Sequence, residues 1–168
     1  APQHYMCTYM AMFPPELPHY FIQRFTKVGD TVLDPFSGRG TTAVEASAQG
    51  RIGIGNDLNP LAVALSRGKI SNPKLEEVIS RLEYLKSNYD SREWPSENEP
   101  DRIRMIYHPN TLSQLCYLKA KLDWSKQGVD AFLVSVIMGA MHGQSSGFLS
   151  VSMPNTFSMG SVSYTHLR

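Results

Sequence analysis

The chain has 168 residues, 42% of them hydrophobic and 18% charged, which is globular composition at single-domain length. A chain of this size can bury a sizeable core without covalent staples. The formal net charge of +1 neither indicates nor excludes nucleic acid, because a local basic face can hide in a near-neutral total. Cys7 and Cys116 form no Cys-x-x-Cys pair, and no histidine stands at ligand spacing to them. A metal site or disulfide framework is therefore not expected; two reduced, buried thiols in a cytoplasmic protein are. No apolar run reaches the roughly 20 residues that span a membrane, and no signal peptide is visible.

In chain order, Phe13-Pro-Pro-Glu-Leu-Pro-His-Tyr-Phe-Ile-Gln-Arg-Phe25 predicts a helix entered through prolines, which a first turn tolerates. Leu17, Phe21, Ile22 and Phe25 recur at helical spacing, and Gly29-Asp30 ends the helix. Tyr5, Tyr9, Tyr20 and Phe21 are expected to pack around the sheet. Thr31 to Asp34 is a short apolar strand ending on a carboxylate. Gly38 and Gly40 make a turn, and Thr41 to Ala48 a helix closed by Gly50. Ile52 to Gly55 is a second strand, followed by Asp57, and Pro60 opens a helix running to about Lys69. Strand, turn, helix, strand, helix is the pattern of a parallel sheet with right-handed crossovers.

Pro73 starts a further helix with an apolar stripe of Leu75, Val78, Ile79, Leu82 and Leu85. Residues 90–101 are polar, with Pro95 and Pro100, and read as an exposed loop. Asn110 is placed to cap a helix carrying Leu112, Leu115, Leu118 and Leu122. Val129 to His142 reads as a more apolar core helix, and residues 144–160 as a loop. Lys119, Lys121 and Lys126 read as a solvated face, and His108 and His142 as structural or exposed histidines. Residues 162–168, Val-Ser-Tyr-Thr-His-Leu-Arg, resemble a reading frame of a transposon sequencing adapter, so 161–168 is expected to be a non-native tail on a gene truncated near Gly160.

The chemistry is concentrated in Val32-Leu-Asp-Pro-Phe-Ser-Gly-Arg-Gly-Thr-Thr42. Glycines let backbone approach a ligand closely, and the helix start behind them offers unpaired N–H groups and partial positive charge. That suits a carboxylate or phosphate. Asp34 at the strand's end can accept from an ammonium group. A ligand with both an α-amino and an α-carboxyl group fits, and the methionine part of S-adenosylmethionine is one. Asp57, ending the next strand, can take both hydroxyls of a ribose, as doubly wound folds place ligands across the carboxyl ends of their strands. The rival is a dinucleotide: Gly38-Arg-Gly-Thr-Thr-Ala43 satisfies G-x-G-x-x-A. There, however, Asp34 would face a pyrophosphate of like charge.

Asp34-Pro-Phe-Ser-Gly-Arg-Gly-Thr-Thr42 resembles the first motif of the S-adenosylmethionine-dependent amino-methyltransferases that act on adenine or cytosine in DNA. Phe13-Pro-Pro-Glu-Leu-Pro18 resembles the motif upstream of it, and Asp57-Leu-Asn-Pro-Leu-Ala62 the acidic motif of the second strand. Ile106-Tyr-His-Pro109, His142-Gly143 and Ser152-Met-Pro-Asn-Thr-Phe157 are similar to a subgroup of these enzymes. The resemblance implies a Rossmann-like class I methyltransferase fold, α/β, incomplete at its C-terminal side and carrying a helical insertion. Residues 1–72 would be its cofactor-binding part and 73–160 a mostly helical continuation. Phe13 and Leu17 would pack on the cofactor. Asp34 would meet its amino group with Pro35 and Phe36 alongside, Gly38 and Gly40 would admit it, Thr41 and Thr42 would cap the next helix, and Asp57 would bind the ribose. Double-stranded DNA, and a cognate restriction endonuclease, are the implied partners. Asn56 departs from the apolar residue usual before the acid. The catalytic Pro-Pro-aromatic tetrapeptide of the family is absent: the single Pro-Pro is Pro14-Pro15, followed by Glu16. This chain is thus expected to bind cofactor without carrying out the transfer. A methyltransferase acting on RNA with the same cofactor site, or a non-catalytic nucleotide-binding module, are the alternatives.

Overall fold

A computed structural model describes residues 2–7, 13–141 and 149–150. The chain divides into two compact units, Ala1–Val78 with Asp123–Val136, and Ile79–Leu122 with Ile137–Arg168.

In the first unit a 3-10 turn, Pro2–Tyr5, precedes α1 (Glu16–Phe25), β1 (Thr31–Asp34), α2 (Thr41–Ala48), β2 (Ile52–Gly55) and α3 (Pro60–Ile70). Both strands and α2 have the predicted limits. Pro15 stands at the N-cap of α1, where a missing N–H costs nothing. The strands pair in parallel, Thr31 opposite Ile52 and Asp34 opposite Gly55, and form a two-stranded sheet among the described residues. Helix α2 packs closely on one face of that sheet because Gly53 has no side chain: a Cβ there would lie 2.5 Å from the Ala43 carbonyl oxygen. The opposite face carries Leu33, Ile52 and Ile54, about half exposed or more. The core combines small residues, Ala43, Ala46, Ala62, Ala64 and Ala131, with Ile22, Val44 and the fully buried Leu65. Burying that one leucine is worth roughly 2 kcal/mol. At Gly68 the same close approach recurs, since a Cβ would lie 2.4 Å from the Ala131 carbonyl oxygen. Ser135 is buried in this unit too, whereas Val136 on the same helix is exposed.

The expected packing of aromatics is not what the structure holds. Tyr5, Tyr20, Phe21 and Phe25 are all largely exposed; α1 buries only Pro18 and Ile22. Tyr9 lies outside the described residues.

Helix α4 (Leu75–Ser87) follows, then two 3-10 turns and α5 (Asp101–Arg104), α6 (Pro109–Lys121) and α7 (Val129–Ala140). The segment expected to be loop thus contains helical turns. One is organised by Asp90, whose carboxylate accepts from the Arg92 amide at 3.0 Å in an Asx-type turn. The stripe on α4 buries only Leu85; Leu75, Ile79 and Leu82 are exposed. The second unit packs Ile106, Tyr107 and Leu112 with Ile103, Leu115 and Leu149. Tyr117 is 2% exposed and donates from its hydroxyl to the Leu85 carbonyl at 2.9 Å. Asn110 is not the cap of α6. The cap is His108, whose Nδ1 accepts from the Asn110 amide at 3.3 Å, so the first helical residue is Pro109. Lys119, Lys121 and Lys126 are exposed. Cys7 and Cys116 form no disulfide and are half-buried, not fully buried. His142, residues 152–157 and the 161–168 tail fall outside the described residues. No helix among the described residues is long and apolar enough to cross a membrane.

Candidate functional site

The parallel register brings both strand ends to one level. The ladder runs on past the strands: the Asn56 amide donates to the Asp34 carbonyl and the Ser37 amide to the Asn56 carbonyl, each at 2.9 Å. Residues 35–40 then turn back into α2 between two carboxylates. Asp57 accepts from the Gly38 amide at 2.8 Å and from the Asn59 amide at 2.9 Å. Asp34 accepts from the Phe36 amide at 3.1 Å and from the Thr42 hydroxyl at 2.6 Å. Each carboxylate is thereby oriented by two donors, and an ionised carboxylate has about four acceptor positions, so both retain capacity for a ligand.

Gly38 and Gly40 take φ of 49° and 81°, the left-handed region that favours glycine. At Gly40 there is a second reason. A Cβ would stand 2.6 Å from the Ser66 hydroxyl oxygen, and that hydroxyl donates to the Gly38 carbonyl at 3.0 Å. Helix α3 therefore fastens the loop from below. Gly40 is also the N-cap of α2, with no side-chain cap. Thr41 and Thr42 accordingly are not caps; they are the first two residues of the helix. The Thr41 hydroxyl accepts from Arg39 Nε at 3.3 Å, and that of Thr42 is bound to Asp34. Asn56, in place of an apolar residue, donates from its side chain to the Pro35 carbonyl at 3.4 Å.

Phe13 and Leu17 line a groove of about 340 Å³ with Phe21, Val32 and Thr42 among its other walls. Thr42 therefore touches both the groove and, through its hydroxyl, Asp34. Phe36 is 87% exposed and Leu58 fully so. These apolar side chains follow the ends of β1 and β2, Phe36 two residues after Asp34 and Leu58 directly after Asp57. Leu58 was missed in the sequence, although an apolar residue directly after a strand-end acid was the available signal.

Beneath the loop lies a buried polar cluster that motif reading also missed. His4 is 1% exposed and Glu45 4%. His4 Nε2 is 2.6 Å from Glu45 Oε1, and His19 Nδ1 is 3.0 Å from Glu45 Oε2. Burial works to raise the Glu45 carboxyl, but hydrogen bonds from the two histidines outweigh it and hold the group below its usual range. Burial pushes His4 down despite its Glu45 partner. Arg39 Nη1 donates to the carbonyls of His4 at 2.8 Å and Cys7 at 3.4 Å. The Lys69 ammonium is lowered to about 8, by burial first and then by the nearby Arg39 charge. No group of three or more His, Cys, Asp or Glu among the described residues is placed to hold a metal ion.

Residues 3–67 match the profile of the DNA methylase family. The chain is 39% identical over 109 residues to the Type II methyltransferase M.MvaI of Kocuria varians, covering 59% of this chain and 24% of that protein. It is 45% identical over 119 residues to the Type II methyltransferase M.MthZI of Methanothermobacter thermautotrophicus, covering 62% of this chain and 33% of that one. With the Type II methyltransferase M.MjaII of Methanocaldococcus jannaschii it shares 34% identity over 70 residues, 42% of this chain and 13% of the relative. The chain thus spans a third or less of the length of these relatives. No solved structure matches it. The matched stretch contains the glycine loop, both strand-end carboxylates and the aromatic groove described above, and over these residues the chain is similar to the DNA methylase family.

Proposed function

We propose that this chain is the cofactor-binding portion of a site-specific DNA methyltransferase, which moves the methyl group of S-adenosylmethionine to the exocyclic amino group of adenine or cytosine. The observation that carries this reading is the pair Asp34 and Asp57, set at adjacent parallel strand ends and clasping the glycine loop from two sides. The donor set fits the cofactor. Asp34 would receive the α-ammonium group, with Pro35 holding the turn and Phe13 and Leu17 closing the groove beside the methionine. Gly38, Gly40, Thr41 and Thr42 would present backbone to its carboxylate at the start of α2, where partial positive charge favours an anion. Asp57 would take the ribose hydroxyls. Phe36 and Leu58 would cover the adenine and lose their exposure on binding.

The bound cofactor would supply the activated methyl group. This chain's contribution would be to hold it in one pose and to keep its sulfonium end out of bulk water. The parent fold would be Rossmann-like, with 1–72 as its cofactor part and 73–160 as a helical continuation. Pro14-Pro15 leads into α1 and is no catalytic element, so transfer to DNA belongs to the whole methyltransferase. Double-stranded DNA is its substrate, a cognate restriction endonuclease its companion and the cytoplasm its place.

Calorimetric titration with S-adenosylhomocysteine tests the reading. Saturable binding is expected, weakened about tenfold or more by Asp57→Ala, as for loss of hydrogen bonds to a charged group. NAD should give no heat. Tight NAD binding, or indifference to the substitution, would overturn it.

A further inference from the structure

We propose that Arg39 is a positioning residue for cofactor binding. In this view its guanidinium couples the N-terminal segment, residues 2–7, to the glycine loop, and the order of that segment sets the loop's affinity. The proposal rests on the cofactor reading above and extends it to residues outside the site.

Arg39 stands between the two glycines of the loop. Glycine-flanked backbone loses the most freedom when ordered, so a loop of this kind holds one shape only if something anchors it. Arg39 is 9% exposed and carries out that anchoring. Nη1 reaches the His4 carbonyl at 2.8 Å and the Cys7 carbonyl at 3.4 Å, while Nε holds the Thr41 hydroxyl at 3.3 Å. One planar group thus bonds to the N-terminal segment and to the first residue of α2 together, which the fork geometry of arginine suits and a lysine does not. The segment is fastened a second time, one helical turn further along α2, where His4 meets Glu45 at 2.6 Å. Glu45 is shared with His19 of α1 at 3.0 Å, the helix that carries Leu17 and Phe21 to the groove. Residues 2–7 therefore hold the loop through Arg39 and connect to the groove helix through Glu45. Of these residues only Thr41 is among those that would touch the cofactor; His4, Cys7, His19, Arg39 and Glu45 are not. Two parts joined by such contacts have reciprocal energetics: what orders one raises the affinity of the other, and binding at one must order the other.

The test uses the full chain. S-adenosylhomocysteine is titrated into the unsubstituted protein, Arg39→Met and Arg39→Lys, at a temperature where melting curves show each folded. Arg39→Met is expected to weaken binding at least about fivefold, with Arg39→Lys between the two. A folded Arg39→Met that binds as tightly as the unsubstituted protein overturns the proposal, because a merely structural arginine would move only the melting temperature. Should Arg39→Met fail to fold, hydrogen exchange on the unsubstituted protein decides. Added ligand should protect amides of residues 2–7 as well as those of 37–42, and protection confined to the loop overturns the proposal. Binding that Asp57→Ala weakens and Arg39→Met does not would sink this inference alone; no binding by the unsubstituted chain would sink the cofactor reading and this inference with it.

Discussion

Lys69 is 2% exposed, and its Nζ has no hydrogen-bond partner among the described residues. Arg39 close by adds like charge, and the amine falls from 10.5 to about 8. A lowered lysine opposes folding below that value, where the amine must be charged in a site that resists charge. The unfolded chain holds its proton until about pH 10.5, so stability should rise as pH climbs from 8 toward that value. At neutral pH the full penalty applies, about 3 kcal/mol at one pKa unit per 1.36 kcal/mol. Lys69→Met, similar in length and apolar, is therefore expected to stabilise the fold by about 2 kcal/mol or more at pH 7, and to flatten the alkaline rise. Denaturant titrations at pH 7 and pH 10 check both; a loss of stability on substitution would show that the ammonium has an anionic partner. The aromatic residues make a different point at this scale. Phe21 and Phe25 stack at 6.1 Å and line the groove while staying largely exposed, so their spacing was correctly helical while their exposure was not legible.

At the scale of elements, α2 is held by features of two kinds. Its limits follow from local chemistry, a left-handed glycine before it and Gly50 after it. Its attachment follows from distant chemistry, Glu45 reaching two histidines 41 and 26 residues away in sequence. That attachment has a pH signature. His4 lies below its ordinary 6.5 because of burial, so the unfolded chain takes up a proton first and stability should fall as pH drops below about 6.5. Glu45, also lowered, supports the fold fully above its ordinary value of 4.5 and withdraws that support as pH falls through its lower native value. Both slopes have one sign. The denaturation midpoint is expected to decline steadily from pH 7 to pH 4, and His4→Gln should remove the upper part of the decline. An unchanged profile in the variant would mean that His4 titrates alike in both states. Helix α6 illustrates a cap that changes owner. Asn110 is the better capping residue by type, yet Pro109 must occupy the first turn, which leaves His108 at the cap.

For the whole molecule the most informative surface is the sheet face of Leu33, Ile52 and Ile54. Parallel sheets are ordinarily covered on both faces, and here α2 covers one. The chain spans a third or less of these relatives, and the open face is apolar surface that α2 does not cover. An apolar-surface dye such as ANS should bind this chain, and Ile54→Lys should reduce the signal without loss of helical circular dichroism. An unaltered signal would place the dye elsewhere, with the groove of Phe13, Leu17 and Phe21 as the remaining candidate.

The sequence by itself determined β1, α2 and β2 to the residue, and the glycine loop between two strand-end acids, because these depend on neighbours: alternation, glycine conformation, a carboxylate where a strand stops. It also carried the resemblance to the family, through three motifs in order. Only the tertiary structure decided what those acids bind, that the threonines after the loop serve Asp34 and Arg39 and not the helix end, and that His4, Arg39, Glu45 and Lys69 meet beneath the loop. The reason is physical. Burial and hydrogen-bond partnership join residues up to dozens of positions apart, and no local pattern encodes which face of a helix finds a partner or which polar groups are taken out of water together.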